Sequence, residues 1–134
     1  MEINDTNEVK SAASVLLLSI AQADGKIDVS ELKIIHDIIA EFFNLEGSEA
    51  DNIIEHGLNE LKNSTDLFGY GKILNEHFSK QDKIDFICCV FEVAYIDEEL
   101  HFMEQHLINK IANILNVEHS ELIKAKIEMG RFLL

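Results

Sequence analysis

The residues of this chain whose type and spacing could do chemistry lie in two acidic turns. The first is Ala23-Asp24-Gly25-Lys26-Ile27-Asp28-Val29-Ser30-Glu31. The second is Ile96-Asp97-Glu98-Glu99-Leu100-His101-Phe102-Met103-Glu104. Each holds an Asp and, seven residues on, a Glu. Carboxylates are hard oxygen donors suited to Ca²⁺, Mg²⁺ or Mn²⁺. On a helical or near-helical segment, positions i, i+4 and i+7 share one face. That spacing gathers Asp24, Asp28 and Glu31 in the first turn, and Asp97, His101 and Glu104 in the second. Like charges on one face repel unless a cation or water relieves them. The chemistry these residues point to is divalent-cation binding.

Two comparisons sharpen that reading. Asp24, Gly25, Ile27, Asp28 and Glu31 resemble the second half of an EF-hand calcium loop. The loop's first and third ligands would fall on Ile20 and Gln22, and Ile20 cannot coordinate. The second turn also lacks the glycine, so a standard EF-hand is not expected. Helix capping is the competing account. Asp28-x-x-Glu31 reads as a capping box. Asp97 reads as the cap of a helix whose first turn carries Glu98 and Glu99, favoured there by the helix dipole. Capping explains neither Asp24 nor the recurrence of a Glu at 104. Both accounts stand at this point.

Catalysis is not expected. Glu98-x-x-His101 is the pair found in di-iron carboxylate bundles, but those need two such pairs and two more Glu. H-E-x-x-H, G-x-S-x-G and a phosphate loop are all missing from the sequence. His36, His56, His77, His106 and His119 follow no ligand spacing and are expected on the surface.

The formal net charge is −14, from 11 basic against 25 acidic side chains. Phosphate backbones need clustered Lys and Arg, so nucleic acid is excluded as a partner. An anionic membrane surface is disfavoured for the same reason. Cations or a basic protein partner suit the charge, although an acidic face also serves solubility alone. Cys88 and Cys89 are adjacent, which rules out a disulfide framework and suits a reducing compartment. They are expected to be small buried hydrophobes. The N-terminus is acidic rather than basic, so a secretory signal is not expected. The longest apolar run, Ala12 to Ala23, is too short and too interrupted to insert in a bilayer. A cytoplasmic location is expected.

The elements that must position the two turns are helical. Apolar residues make up 47 % of the chain, and there is no proline to break a helix. A helix from about Asn7 to Gln22 starts near Asp5 and Thr6. It is expected to be central, because its apolar residues cover more than one face. Leu32, Ile35, Ile38, Ile39, Phe42 and Phe43 mark a second helix, stopped by Asn44 in the left-handed conformation. A third runs from Ser48, as cap, to Leu61, with Asp51 at the third position. Residues 63–71 read as a loop, with Gly69-Tyr70-Gly71 as a turn, before a short helix from about Lys72 to Phe78. A fifth helix, about Gln81 to Tyr95, buries Ile84, Ile87, Cys88, Phe91 and Ala94. The sixth spans about Glu98 to Leu115, and the seventh starts near Ser120. No stretch alternates as a strand would.

The two halves also superpose in sequence. At an offset of 73 (97 − 24), Ala21 falls on Ala94, Asp24 on Asp97, Glu31 on Glu104 and Ile35 on Ile108. At an offset of 72 (116 − 44), Asn44-Leu45-Glu46 falls on Asn116-Val117-Glu118, and Ser48-Glu49 on Ser120-Glu121. Helix periodicity alone would not reproduce these polar matches. The expected fold is an all-α, single-domain bundle of six or seven helices over residues 1–134, pseudo-symmetric from an internal duplication. Repeat one covers about 8–62, a loop and short helix about 63–80, and repeat two about 81–130.

Ala23-Asp24-Gly25-x-Ile27-x-x-x-Glu31 after an apolar helix, with its echo in Ala94, Asp97 and Glu104, resembles the TerB-like (tellurite resistance protein B-like) family. The resemblance covers about residues 8–130. It implies an all-helical domain whose clustered acidic residues are proposed to bind metal ions. It also implies a link to tellurite resistance and stress responses. Related domains occur in co-chaperones and membrane-associated assemblies, which implies a membrane-associated protein partner. Carried over by position, the acidic set is Asp24, Asp28 and Glu31, then Asp97 and Glu104. Family members often keep Asp-Gly in the second turn, where this chain has Asp97-Glu98, and His101 stands at its second Asp position. Tellurite is an anion and is not expected to bind so acidic a face, so any tellurite role would be indirect.

Overall fold

The first helix, α1 (Asn7–Gln22), is apolar on nearly every side, and such a helix must be enclosed. It is: Val9 and every residue from Ser11 to Ala21 are buried. The computed structural model of the chain describes residues 7–23, 25–63, 66–97 and 102–133, apart from the side chains of 97 and 131–133. Around α1 it arranges α2 (Val29–Phe42), α3 (Gly47–Asn63), α4 (Phe68–His77), α5 (Lys80–Ala94), α6 (Phe102–Ile114) and α7 (His119–Leu133). A single 3-10 turn, Tyr95–Asp97, follows α5. The described residues contain no strand. The fold is all-α, as its periodicity requires.

α1 packs most extensively on α3 and α4, and also meets α2, α5 and α6. α5 plays the matching part in the second half, packing on α7 and α6. Two of the three serines buried in α1 bond their hydroxyls back to the helix itself. Ser14 Oγ donates to the Ser11 carbonyl at 2.8 Å, and Ser19 Oγ to that of Leu16 at 2.6 Å. Back-bonding to the preceding turn satisfies a buried hydroxyl locally. Four phenylalanines, Phe42, Phe43, Phe78 and Phe86, join α2 to α5 through edge and tilted ring contacts at 5.1–6.0 Å. Such geometries suit the ring quadrupole.

α2 and α6 end alike. Asn44 has φ 55° and Asn116 has φ 58°, the left-handed conformation expected at Asn44. The Leu45 N–H donates to the Ala40 carbonyl at 2.8 Å, and the Val117 N–H to that of Ala112 at 2.9 Å. Each is the long bond of a Schellman cap, and the pairs keep the 72-residue offset.

Several expectations need correction. Gly69-Tyr70-Gly71 is not a turn but the first part of α4, which begins at Phe68 rather than Lys72. The reason is tertiary: a Cβ on Gly71 would lie 2.6 Å from Ile114 Cγ2, so the glycine lets α4 close on α6. Ser48 does not cap α3, which starts at Gly47. Glu49 Oε1 instead accepts the Glu46 N–H at 3.3 Å, and Asp51 pairs with His36 across the α2–α3 junction. Cys88 and Cys89 are half-buried rather than buried, and so is Ile84, because Phe86, Val90 and Val93 share the inward face of α5. The Asp5 and Thr6 caps lie outside the described residues.

Candidate functional site

The first acidic turn is built by the exit from α1. The Gly25 N–H donates to the Gln22 carbonyl at 2.9 Å, and Gly25 takes φ 130°. Side chains rarely adopt that backbone conformation, so the reversal needs glycine. Ile27 then packs on the core. Asp28, extended at φ −91° and ψ 174°, opens α2.

The capping box is present in full. Asp28 Oδ1 accepts the Glu31 N–H at 2.8 Å, and Glu31 Oε1 accepts the Asp28 N–H at 3.0 Å. Ser30 Oγ adds a third bond to Asp28 Oδ1 at 2.7 Å. These donors, the Ser30 hydroxyl foremost, hold the Asp28 carboxyl below its ordinary value. Glu31 is only 5 % exposed. Asp24 lies outside the described residues.

In the second turn, Asp97 closes the 3-10 turn, and nothing is described of its side chain. His101, and with it the Glu98/His101 pair, lies outside the described residues. The reading of Asp97 as cap of a helix from Glu98 falls on the same stretch; α6 is described from Phe102. Glu104 is 3 % exposed. It is the third residue of α6 as described, and Glu31 is the third of α2. Two carboxylates therefore enter the interior at matching positions, where Glu is seldom buried.

The positions beside them match as well. Val29 and Phe102, each first in its helix, are 83 % and 82 % exposed. Met103 is also exposed. The sequence reading missed this pair. Its signal was an apolar residue at the same place in both turns.

Among the described residues, no group of three or more His, Cys, Asp or Glu side chains is arranged to hold a metal ion. Asp28, Glu31 and Glu104 are placed, but the set of six is completed only by residues whose side chains are not described. The donors themselves fit a hard divalent ion in kind. A second acidic cluster lies between α2 and α5. There Asp37, Glu41, Asp82, Asp85 and Glu92 line a groove of about 390 Å³. Burial, then the charges of Glu41 and Asp37, push the Glu92 carboxyl up.

None of the described helices is long and apolar enough to cross a membrane. The histidines expected on the surface are exposed or half-buried. In fold, the chain is similar to the crystal structure of a protein of unknown function from Porphyromonas gingivalis. The TM-score is 0.69 at 14 % identity, over 97 % of this chain and 99 % of that one. No curated protein matches the chain. The family profile described as tellurite resistance protein TerB matches residues 10–127. That match spans most of the chain, and the chain belongs to the TerB family.

Proposed function

We propose that this chain is a non-enzymatic accessory domain that binds a divalent cation, Ca²⁺, Mg²⁺ or Mn²⁺, at its acidic turns, in tellurite or general stress response. The observation that supports this reading is the burial of Glu31 and Glu104 at matching positions, 5 % and 3 % exposed. Hard carboxylate oxygens held at matching positions suit a divalent cation shared with Asp24 and Asp28, or with Asp97 and His101, alongside the interactions that Glu31 and Glu104 already make. Asp28 keeps lone pairs beyond those used in the capping box and by Ser30, since an ionised carboxylate accepts about four bonds. The half-buried thiols suit a reducing compartment, which fits a cytoplasmic protein. Calorimetry with each ion tests the reading. Binding is expected, weakened when Asp24→Asn and Glu31→Gln are combined. Heats equal to buffer dilution for all three ions reject it.

The second reading is a metal-independent module for a basic or membrane-associated protein partner, in the manner of a scaffold or co-chaperone. What favours it is the exposure of Val29, Phe102 and Met103 beside the acidic turns. Exposed apolar side chains rimmed by charge are common at interaction sites. Partner binding that falls with salt and ignores chelator would support this reading over the first.

A further inference from the structure

A cleft of about 700 Å³ lies between the start of α1, one face of α3 and α4, away from both acidic turns. Its volume falls within the range of roughly 300–1,000 Å³ usual for small-molecule sites. We propose that it binds a small organic cation with an apolar body, an alkyl- or arylammonium ion.

The α3 wall follows from sequence spacing. Glu49, Ile53, His56 and Glu60 recur at three or four residues and share one helix face. Ile53, with Ala12, Leu45 and Ile73 from the other elements, gives the cleft an apolar lining. Tyr70, from α4, adds an aromatic ring.

Charge selects the ligand's sign. Glu8, Glu49 and Glu60 line the cleft against one lysine, Lys10. Glu60 is also held in place. Its Oε2 accepts the Tyr70 hydroxyl at 2.9 Å, and His56 Nε2 stands 3.4 Å from its Oε1. A carboxylate fixed in this way keeps lone pairs for an ammonium and loses little freedom on binding. The ring beside it is a second attraction for a cation. An anion of the same shape would meet the carboxylates and the field of a chain with net charge −14.

The test is amide chemical-shift mapping of the full chain with three probes of one shape: phenethylammonium, 2-phenylethanol and 3-phenylpropionate. Phenethylammonium is expected to shift amides of the cleft faces of α1, α3 and α4. The alcohol should bind more weakly and the carboxylate not at all. Glu60→Gln keeps an oxygen for the Tyr70 hydroxyl, so it leaves the fold intact. It should weaken phenethylammonium by roughly tenfold, the loss of one charge-assisted bond. Methylammonium, which has no apolar body, should not bind. The proposal is overturned if phenethylammonium at millimolar concentration shifts nothing, or if all three probes bind alike. It is equally overturned if the shifts fall in the α2–α5 groove instead.

Discussion

Glu31 and Asp28 bind each other's backbone: the Glu31 carboxylate takes the Asp28 N–H at 3.0 Å, and the Asp28 carboxylate takes the Glu31 N–H at 2.8 Å. The pair closes the start of α2 and fixes the acidic turn in one stroke. The same two residues are thus helix caps and candidate ligands, and their substitutions separate the roles. Asp28→Asn keeps an acceptor oxygen, while Asp28→Ala removes it. Urea denaturation is expected to rank Asp28→Ala below Asp28→Asn in stability. If Asp28 is also a ligand, both lose Ca²⁺ affinity in calorimetry, although only the alanine variant loses much stability.

Gly57 lies where α3 crosses α1, and an added Cβ would overlap Ser14 Oγ and stand 3.1 Å from Leu18 Cδ1. Gly57→Ala is expected to destabilise by roughly 1–3 kcal/mol, the usual range for overpacking. Ser14→Ala in the same chain opens the space and should recover part of the loss. A double-mutant cycle in urea measures this coupling. Additive effects would show that the helices meet elsewhere.

Gly25 poses a different constraint. Its φ of 130° disfavours a side chain, yet a Cβ there would meet nothing within 4 Å. Gly25→Ala should cost about 1–3 kcal/mol through backbone strain alone. No substitution in a neighbouring side chain should relieve it. A compensating neighbour would contradict the φ assigned to this turn.

His36 ties α2 to the start of α3, with Nδ1 3.1 Å from Asp37 and Nε2 3.1 Å from both the Gly47 carbonyl and Asp51. Asp37 first, then the Gly47 carbonyl and the charge of Asp51, raise its pKa above the ordinary 6.5. A raised folded pKa means that the contribution is complete below 6.5 and is lost as pH climbs through the folded value. The stability gap between wild type and His36→Gln should therefore shrink from mildly acidic to mildly alkaline pH. Partial exposure and salt keep it small. A gap that widens with pH would refute the assignment.

Burial, then the charge of Glu92, pushes the Cys89 thiol up to about 12, and Cys88 is raised less. The thiolate is the reactive form, so near neutral pH iodoacetamide should label both slowly and Cys89 last. Mass spectrometry of a labelling time course checks the order. Rapid loss of the Cys89 thiol in the native protein would contradict its placement against α2.

The limits of α1, Asn7–Gln22, were legible because its apolar residues run without a polar face and so demand enclosure. The Asp28/Glu31 box and the left-handed Asn44 were legible because caps are local chemistry, settled within four or five residues. Gly71 was not, because only Ile114, on a helix 43 positions away (114 − 71), explains a glycine inside α4. Nor was the half-burial of Cys88, since the helical period gives a buried face but not how far it turns against its neighbours.

What the sequence settled by itself is the helical class, the reversals at Gly25 and Asn44 and the recurrence of an acidic turn, all of which depend on near neighbours. Tertiary packing decided how deeply Glu31 and Glu104 are buried while Val29 and Phe102 face water. Side-chain hydropathy alone would favour the opposite, and the inversion arises because α2 and α6 each dock with the third residue of the helix, not the first, toward the interior.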